Sequence, residues 1–157
     1  MGAGKSTLGA LLSKGLGWPY IDNDKEITTN YGLTPAEVSA LPVDALHELE
    51  SRYLCDVIAR PAPFIAGAAA SVIDSEENRT LLEGTFSVYL RLPIEKIIER
   101  AGTAGVGRQA LADNGDQILI DRFNRRDPLY LSTAKLTVEL SNSPERDAEI
   151  IKRALLS

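Results

Sequence analysis

The amino-acid sequence predicts an α/β fold around a largely parallel sheet. Short β-like runs at 18–21, 63–67, 86–91 and 136–140 are each followed by a helix-compatible stretch, the alternation a parallel sheet requires. A small-residue loop at 2–7, Gly-Ala-Gly-Lys-Ser-Thr, runs straight into an amphipathic helix. With 44% hydrophobic and 25% charged residues, a chain of 157 residues can enclose one core and is not of the disordered class.

The elements follow in order. Positions 6–16 carry Leu8, Leu11, Leu12 and Leu16 at helical spacing, closed by Gly15 and Gly17 before Pro19. Asp44 is expected to cap a helix with Leu46, Leu49, Tyr53, Leu54, Val57 and Ile58 on one face, ending at Arg60-Pro61. Pro93 opens a helix over 94–100, where its missing N–H is harmless. The stretch 101–116 reads as a loop rich in Gly and Ala, 118–123 as helix, and Pro144 starts a last helix to 155. Neither repeats nor linker-like stretches mark a domain boundary, so 1–157 is expected to form a single domain.

Charge and composition exclude several classes. Lys plus Arg number 17 against 22 Asp plus Glu, a net charge of −5, which is the wrong balance for a binder of phosphate backbones, so no nucleic-acid partner is expected. No apolar run reaches the length of a membrane span and the N-terminus lacks a signal-peptide layout, so no membrane partner and a cytoplasmic location are expected. One cysteine, Cys55, and one histidine, His47, supply neither a disulfide nor a zinc set. Any metal should be a hard, oxygen-bound cation such as Mg²⁺.

The loop at 2–7 carries the chemistry. Phosphates need several backbone N–H groups converging on one point with a helix N-terminus behind them, which only small residues in a tight loop permit. Gly2, Ala3 and Gly4 supply the loop, Lys5 a charge for the β/γ-phosphates, Ser6 a hydroxyl for Mg²⁺, and Thr7 continues the set. The full pattern, G-x-x-x-x-G-K-[ST], has its first glycine two positions before Met1, and the strand that should feed the loop is missing as well. The reading is that Met1 is an internal methionine of the loop and that the domain is N-terminally truncated within it, leaving two exposed strand edges. The opening Met-Gly also fits an N-myristoylation signal, but the phosphate loop accounts for the same letters and for the helix after them.

From this loop onward the chain resembles the shikimate kinase family of P-loop small-molecule kinases. Tyr20-Ile21-Asp22-Asn23-Asp24 looks like that family's D-x-D segment after its second strand. Ser87-Val88-Tyr89-Leu90, Ile94-Glu95-Lys96, Arg108-Gln109-Ala110-Leu111 and Arg126-Asp127-Pro128-Leu129-Tyr130 follow in the family's order and near its spacing. The resemblance implies a three-layer fold with a five-stranded parallel sheet when complete, its first strand absent here. It implies ATP as phosphoryl donor with Mg²⁺, and a small anionic hydroxy acid, shikimate, as acceptor. Asp22 would hold the Mg²⁺ shell with Ser6, and Asp24 would bind a substrate hydroxyl and assist its deprotonation. Arg108 would reach over the transferred phosphoryl group, Arg126 would clamp the substrate carboxylate, and Arg100 would lie near the adenine. Two carboxylates at alternate positions after a strand agree with where α/β sheets bind ligands; read alone, the same residues are a turn capping the next helix.

The pattern breaks on the acceptor side. The family's F-R-x-x-E appears as Leu46-His47-Glu48-Leu49-Glu50, and histidine cannot fork onto a carboxylate. Losing one charge-assisted hydrogen bond is worth about 1.5–3 kcal/mol, so weaker shikimate binding is expected unless Arg52, one turn on, reaches in. The family's triple-glycine loop reads Ala68-Ala69-Ala70, each alanine adding a Cβ where ligand sits, so Ala68 and Ala69 join His47 among the substrate-side residues. The alternative for this segment is a simple helix start. The expected activity is ATP- and Mg²⁺-dependent phosphorylation of shikimate by a monomer, with Lys5, Asp24 and Arg108 as the catalytic residues. A gluconate-like kinase and a non-catalytic ligand-sensing domain are the competing readings.

Overall fold

The structure, a computed structural model, describes residues 4–104 and 115–157. Four strands appear where the β-like runs were expected: β1 Tyr20–Ile21, β2 Ile65–Ala66, β3 Val88–Arg91 and β4 Leu136–Glu139. They form two parallel pairs, β1 with β2 in the register Tyr20↔Ile65 and β3 with β4 in the register Val88↔Leu136. Around them lie α1 Lys5–Leu16, α2 Asn23–Asn30, α3 Pro35–Ser39, α4 Val43–Ile58, α5 Glu76–Glu83, α6 Ile94–Ala104, α7 Gly115–Thr133 and α8 Pro144–Leu156, with a 3-10 turn at Ala70–Asp74. Parallel strands joined through helices give the expected α/β layering. Among the described residues no hydrogen-bonded ladder joins the two pairs.

One core cluster lies between α1 and α8: Leu8, Leu12, Val138, Ala148 and Ile151 are buried, with Ile65, Val88 and Leu90 from the strands packed against them. Both strand pairs thus rest on the same helix layer. A second cluster, Ile27, Tyr53 and Val57, sits between α2 and α4 with Ile21 and Phe64. The apolar face predicted for α4 is the face that makes it.

Several local expectations are corrected. The N-cap of α4 is Pro42, so Asp44 lies inside the first turn, where it complements the helix dipole without capping it. The stretch expected as a loop at 101–116 is helical at both ends, α6 running to Ala104 and α7 starting at Gly115. The helix expected over 118–123 extends through Pro128 to Thr133. The capping reading of the Asp22 segment is, by contrast, what is found: a two-turn helix, α2, follows with Asp22 as its N-cap. Short helices α3 and α5 were not anticipated, although Thr34-Pro35-Ala36-Glu37 is a complete capping box and Ser75 caps α5 through the Asn78 N–H.

Candidate active site

The phosphate side is built from the first turn of α1. Gly4, its N-cap, sits at φ 75°, a left-handed conformation that side chains disfavour. Two turns of the chain then meet closely at Gly9, where a Cβ would stand 2.3 Å from the Tyr20 ring, so α1 can lie against β1 only with glycine there. This contact carries Lys5 and Ser6 onto the carboxyl end of β1. The Lys5 Nζ donates to the Ala68 carbonyl at 2.8 Å and to Asn23 Oδ1 at 3.4 Å. Ser6 Oγ donates to Asp22 Oδ2 at 3.2 Å. The other oxygen of Asp22 accepts from the N–H groups of Asp24 and Lys25, so the carboxylate that holds Ser6 also caps α2. Asn23, which sequence reasoning left out of the site, is buried and also donates to Asp24 Oδ1 at 3.4 Å.

Burial pulls the Lys5 ammonium below its ordinary pKa, against the opposing charges of Asp24, Asp22 and Glu50. A lysine held this way, on a carbonyl and beside three carboxylates, is a cation kept ready for a stronger anionic partner. Glu50, the last residue of Leu46-His47-Glu48-Leu49-Glu50, has its pKa raised by burial, with His47, Ser71 and Lys5 pulling the other way. His47 lies within electrostatic reach of both Glu50 and Asp74.

A cavity of about 90 Å³ opens beside the α1 N-terminus, lined by Gly4, Thr7, Arg100, Leu140, Ser141 and Pro144 among others. Thr7 and Arg100, two of the residues the sequence assigns to the nucleotide, both line it. Its floor is held by Asp147, 2% exposed, whose carboxylate accepts from both the N–H and the Oγ of Ser141.

The segment Arg126-Asp127-Pro128-Leu129-Tyr130, which the sequence assigns to the acceptor, forms a set of ties within the fold. Arg126 is buried and forks onto Asp74, Nε–Oδ1 at 3.1 Å and Nη2–Oδ2 at 2.8 Å. Asp127 accepts from the Tyr89 hydroxyl at 2.8 Å and from Arg91 Nε and Nη2 at 2.9 and 3.1 Å, fixing α7 to β3. Tyr130 stacks on Tyr89 with ring centroids 4.4 Å apart and donates to the Ala70 carbonyl at 2.6 Å. These bonds bring α7 against the alanine segment, where Ala69 precedes the 3-10 turn and Ala68 receives Lys5. The alternative of a simple helix start at this segment takes the form of a 3-10 turn from Ala70.

The structure brings Lys5, Ser6, Asp22, Asp24 and Ala68 together, and places Arg126, Ala69, His47 and Glu50 around the neighbouring 3-10 turn. Gly2, Ala3 and Arg108 lie outside the described residues. Among the described residues no cluster of three or more His, Cys, Asp or Glu could hold a metal ion by itself, and no helix is long and apolar enough to cross a membrane. Asp74 and Asn23 were not legible as site residues; Glu50 was visible in the family motif.

Comparison with known proteins identifies the family. The family model described as shikimate kinase matches residues 1–156. A shikimate kinase of Chromohalobacter salexigens is 32% identical over 98% of this chain and 87% of that protein, and one of Pseudomonas paraeruginosa is 33% identical over 93% of this chain and 86% of its own. Among solved structures, the shikimate kinase from Acinetobacter baumannii in complex with shikimate superposes with a TM-score of 0.83 at 32% identity, covering 99% of this chain and 88% of that one. The chain belongs to the shikimate kinase family, with the P-loop NTPase fold and ATP as phosphoryl donor.

Proposed function

We propose that this chain transfers the γ-phosphoryl group of ATP to a hydroxyl of shikimate, using the family's phosphate-handling residues and an altered acceptor pocket. The observation that carries the reading is the convergence of Lys5, Ser6, Asp22 and Asp24 at the α1 N-terminus, next to the Ala68 carbonyl. The relative from Acinetobacter baumannii was solved with shikimate, which supports that acceptor here.

Each residue has a physical task. Lys5 exchanges its Ala68 carbonyl for phosphate oxygens, and the α1 N-terminus adds its dipole. Ser6 and Asp22 present hard oxygens to one another at 3.2 Å, the small protein contribution Mg²⁺ takes when phosphate and water fill the rest of its shell, so the residues present fit the ion. Bound there, Mg²⁺ would neutralise charge on the transferred phosphoryl group. Asp24, exposed on the first turn of α2, receives the proton from the acceptor hydroxyl as that oxygen attacks phosphorus. Arg126 meets the acceptor carboxylate, Arg100 and Thr7 border the nucleotide end, and the lid role falls to Arg108. The same reading has the enzyme working as a monomer in the cytoplasm on small metabolites.

The test is ADP release with ATP and Mg²⁺, with and without shikimate. Shikimate stimulates release, and Asp24→Asn abolishes the stimulation by about 10²-fold or more, the usual worth of a positioned base. Folded, ATP-binding protein that shikimate fails to stimulate rejects the reading.

A further inference from the structure

We propose that Asp74 sets the acceptor affinity of this enzyme, because it holds the Arg126 guanidinium in the bidentate fork that an acceptor carboxylate would otherwise occupy. The inference rests on the reading above in which Arg126 meets that carboxylate. Arg126 offers its Nε and Nη2 edge to Asp74 at 3.1, 3.2 and 2.8 Å, so the edge best suited to planar recognition is already taken. The two partners are unequally buried: the Arg126 side chain is 11% exposed and that of Asp74 33%. The guanidinium is therefore fixed by its surroundings, while the carboxylate sits at the open side of the pair and is the member that can be displaced.

The surroundings show that the pair does not silence the site. Arg125 Nη2 stands 3.7 Å from the same Asp74 oxygen, and Arg122, one turn before Arg126 on α7, feels the repulsion of both arginines. Three guanidinium groups thus face one carboxylate, leaving surplus positive charge for an incoming anion. Burial alone would raise the Asp74 pKa, but the hydrogen bond and charge of Arg126, with Arg125 and His47, hold it below the ordinary range, so Asp74 competes as an anion at neutral pH. The 3-10 turn bearing Asp74 is anchored at both ends, by Tyr130 on the Ala70 carbonyl and by Arg79 Nη1 on the Ile73 carbonyl at 2.8 Å. Exchange consequently needs only a side-chain rotation of Asp74 while the turn stays in place.

The experiment measures shikimate binding by calorimetry and by thermal shift for the wild type, Asp74→Asn, Asp74→Ser, Asp74→Glu and Arg126→Lys. Freeing the fork tightens shikimate binding by about tenfold in Asp74→Asn, the equivalent of one charge-assisted hydrogen bond regained. Its ligand-free Tm drops, and shikimate raises that Tm by more than it raises the wild type's, since the ligand carboxylate fills the vacated position. Asp74→Ser behaves alike should the amide variant fail to fold, and Asp74→Glu, which keeps a competing carboxylate, binds no tighter than wild type. A purely structural pair would instead give unchanged or weaker binding in Asp74→Asn and Asp74→Ser while Arg126→Lys still weakens it, which overturns the role of Asp74 and leaves Arg126 as the clamp. Unchanged binding in Arg126→Lys removes Arg126 from the acceptor site, and the inference falls with it.

Discussion

The two sides of the site are built differently. On the phosphate side, each polar group answers to a neighbour a short way along the chain or across one strand: Ser6 to Asp22, Asp22 to the α2 N–H groups, Lys5 to Asn23 and Ala68. Steric demands there are strict, with Gly9 against the Tyr20 ring. On the proposed acceptor side, the chain carries His47 and three consecutive alanines at 68–70, and Arg126 is engaged by Asp74. Phosphoryl transfer depends on fixed charge and position, whichever acceptor is used. Acceptor recognition tolerates change because it alters affinity before it alters chemistry.

This contrast can be broken by experiment. The largest effect is expected from Lys5→Met, which removes a preorganised positive charge from the phosphates and should lower kcat by about 10²–10³-fold with little change in the shikimate KM. An equal rise in both KM values with kcat intact would show that Lys5 only binds. His47→Arg should lower the shikimate KM by roughly one to two decades and leave the ATP KM alone, since it restores a charge-assisted fork on one side only.

Gly9→Ala should cost about 1–3 kcal/mol in denaturant unfolding, because a Cβ at 2.3 Å from the Tyr20 ring forces α1 away from β1. Wild-type stability in that variant would mean the close approach is not what positions Lys5 and Ser6.

The smallest effect comes from Glu50→Gln. Burial raises the folded-state pKa of Glu50 above its unfolded value, so the ionised form weakens the fold above that pKa, and the penalty disappears as pH falls through it. The glutamine variant should therefore have the higher Tm at neutral pH and no advantage below the ordinary carboxylate range. A lower Tm at neutral pH would show that the attraction of Lys5 and His47 outweighs burial.

What was legible in the sequence divides along the same line. The strands, α1, α4 and α8 follow from apolar spacing, and Lys5, Ser6, Asp22 and Asp24 from two short motifs, although the contact of Lys5 with Ala68, 63 positions on, is set by the fold. The capping box of Thr34 and Glu37 carried a signal for α3 that apolar periodicity over so short a helix does not. Asp74 and Arg126 stand 52 positions apart, and nothing local in either segment predicts their pairing. Arg91 with Asp127 and Tyr89 with Tyr130 are of the same kind, fixed by how α7 packs on β3 and the 3-10 turn.

The proposed combination of a family-like phosphate side and a weakened acceptor clamp is best probed by the steady-state KM values of shikimate and ATP for the wild type and for the double variant His47→Arg, Asp74→Asn. In the double variant the shikimate KM should fall by more than about tenfold with the ATP KM unchanged. An unchanged shikimate KM, or a fall shared equally by ATP, would contradict it.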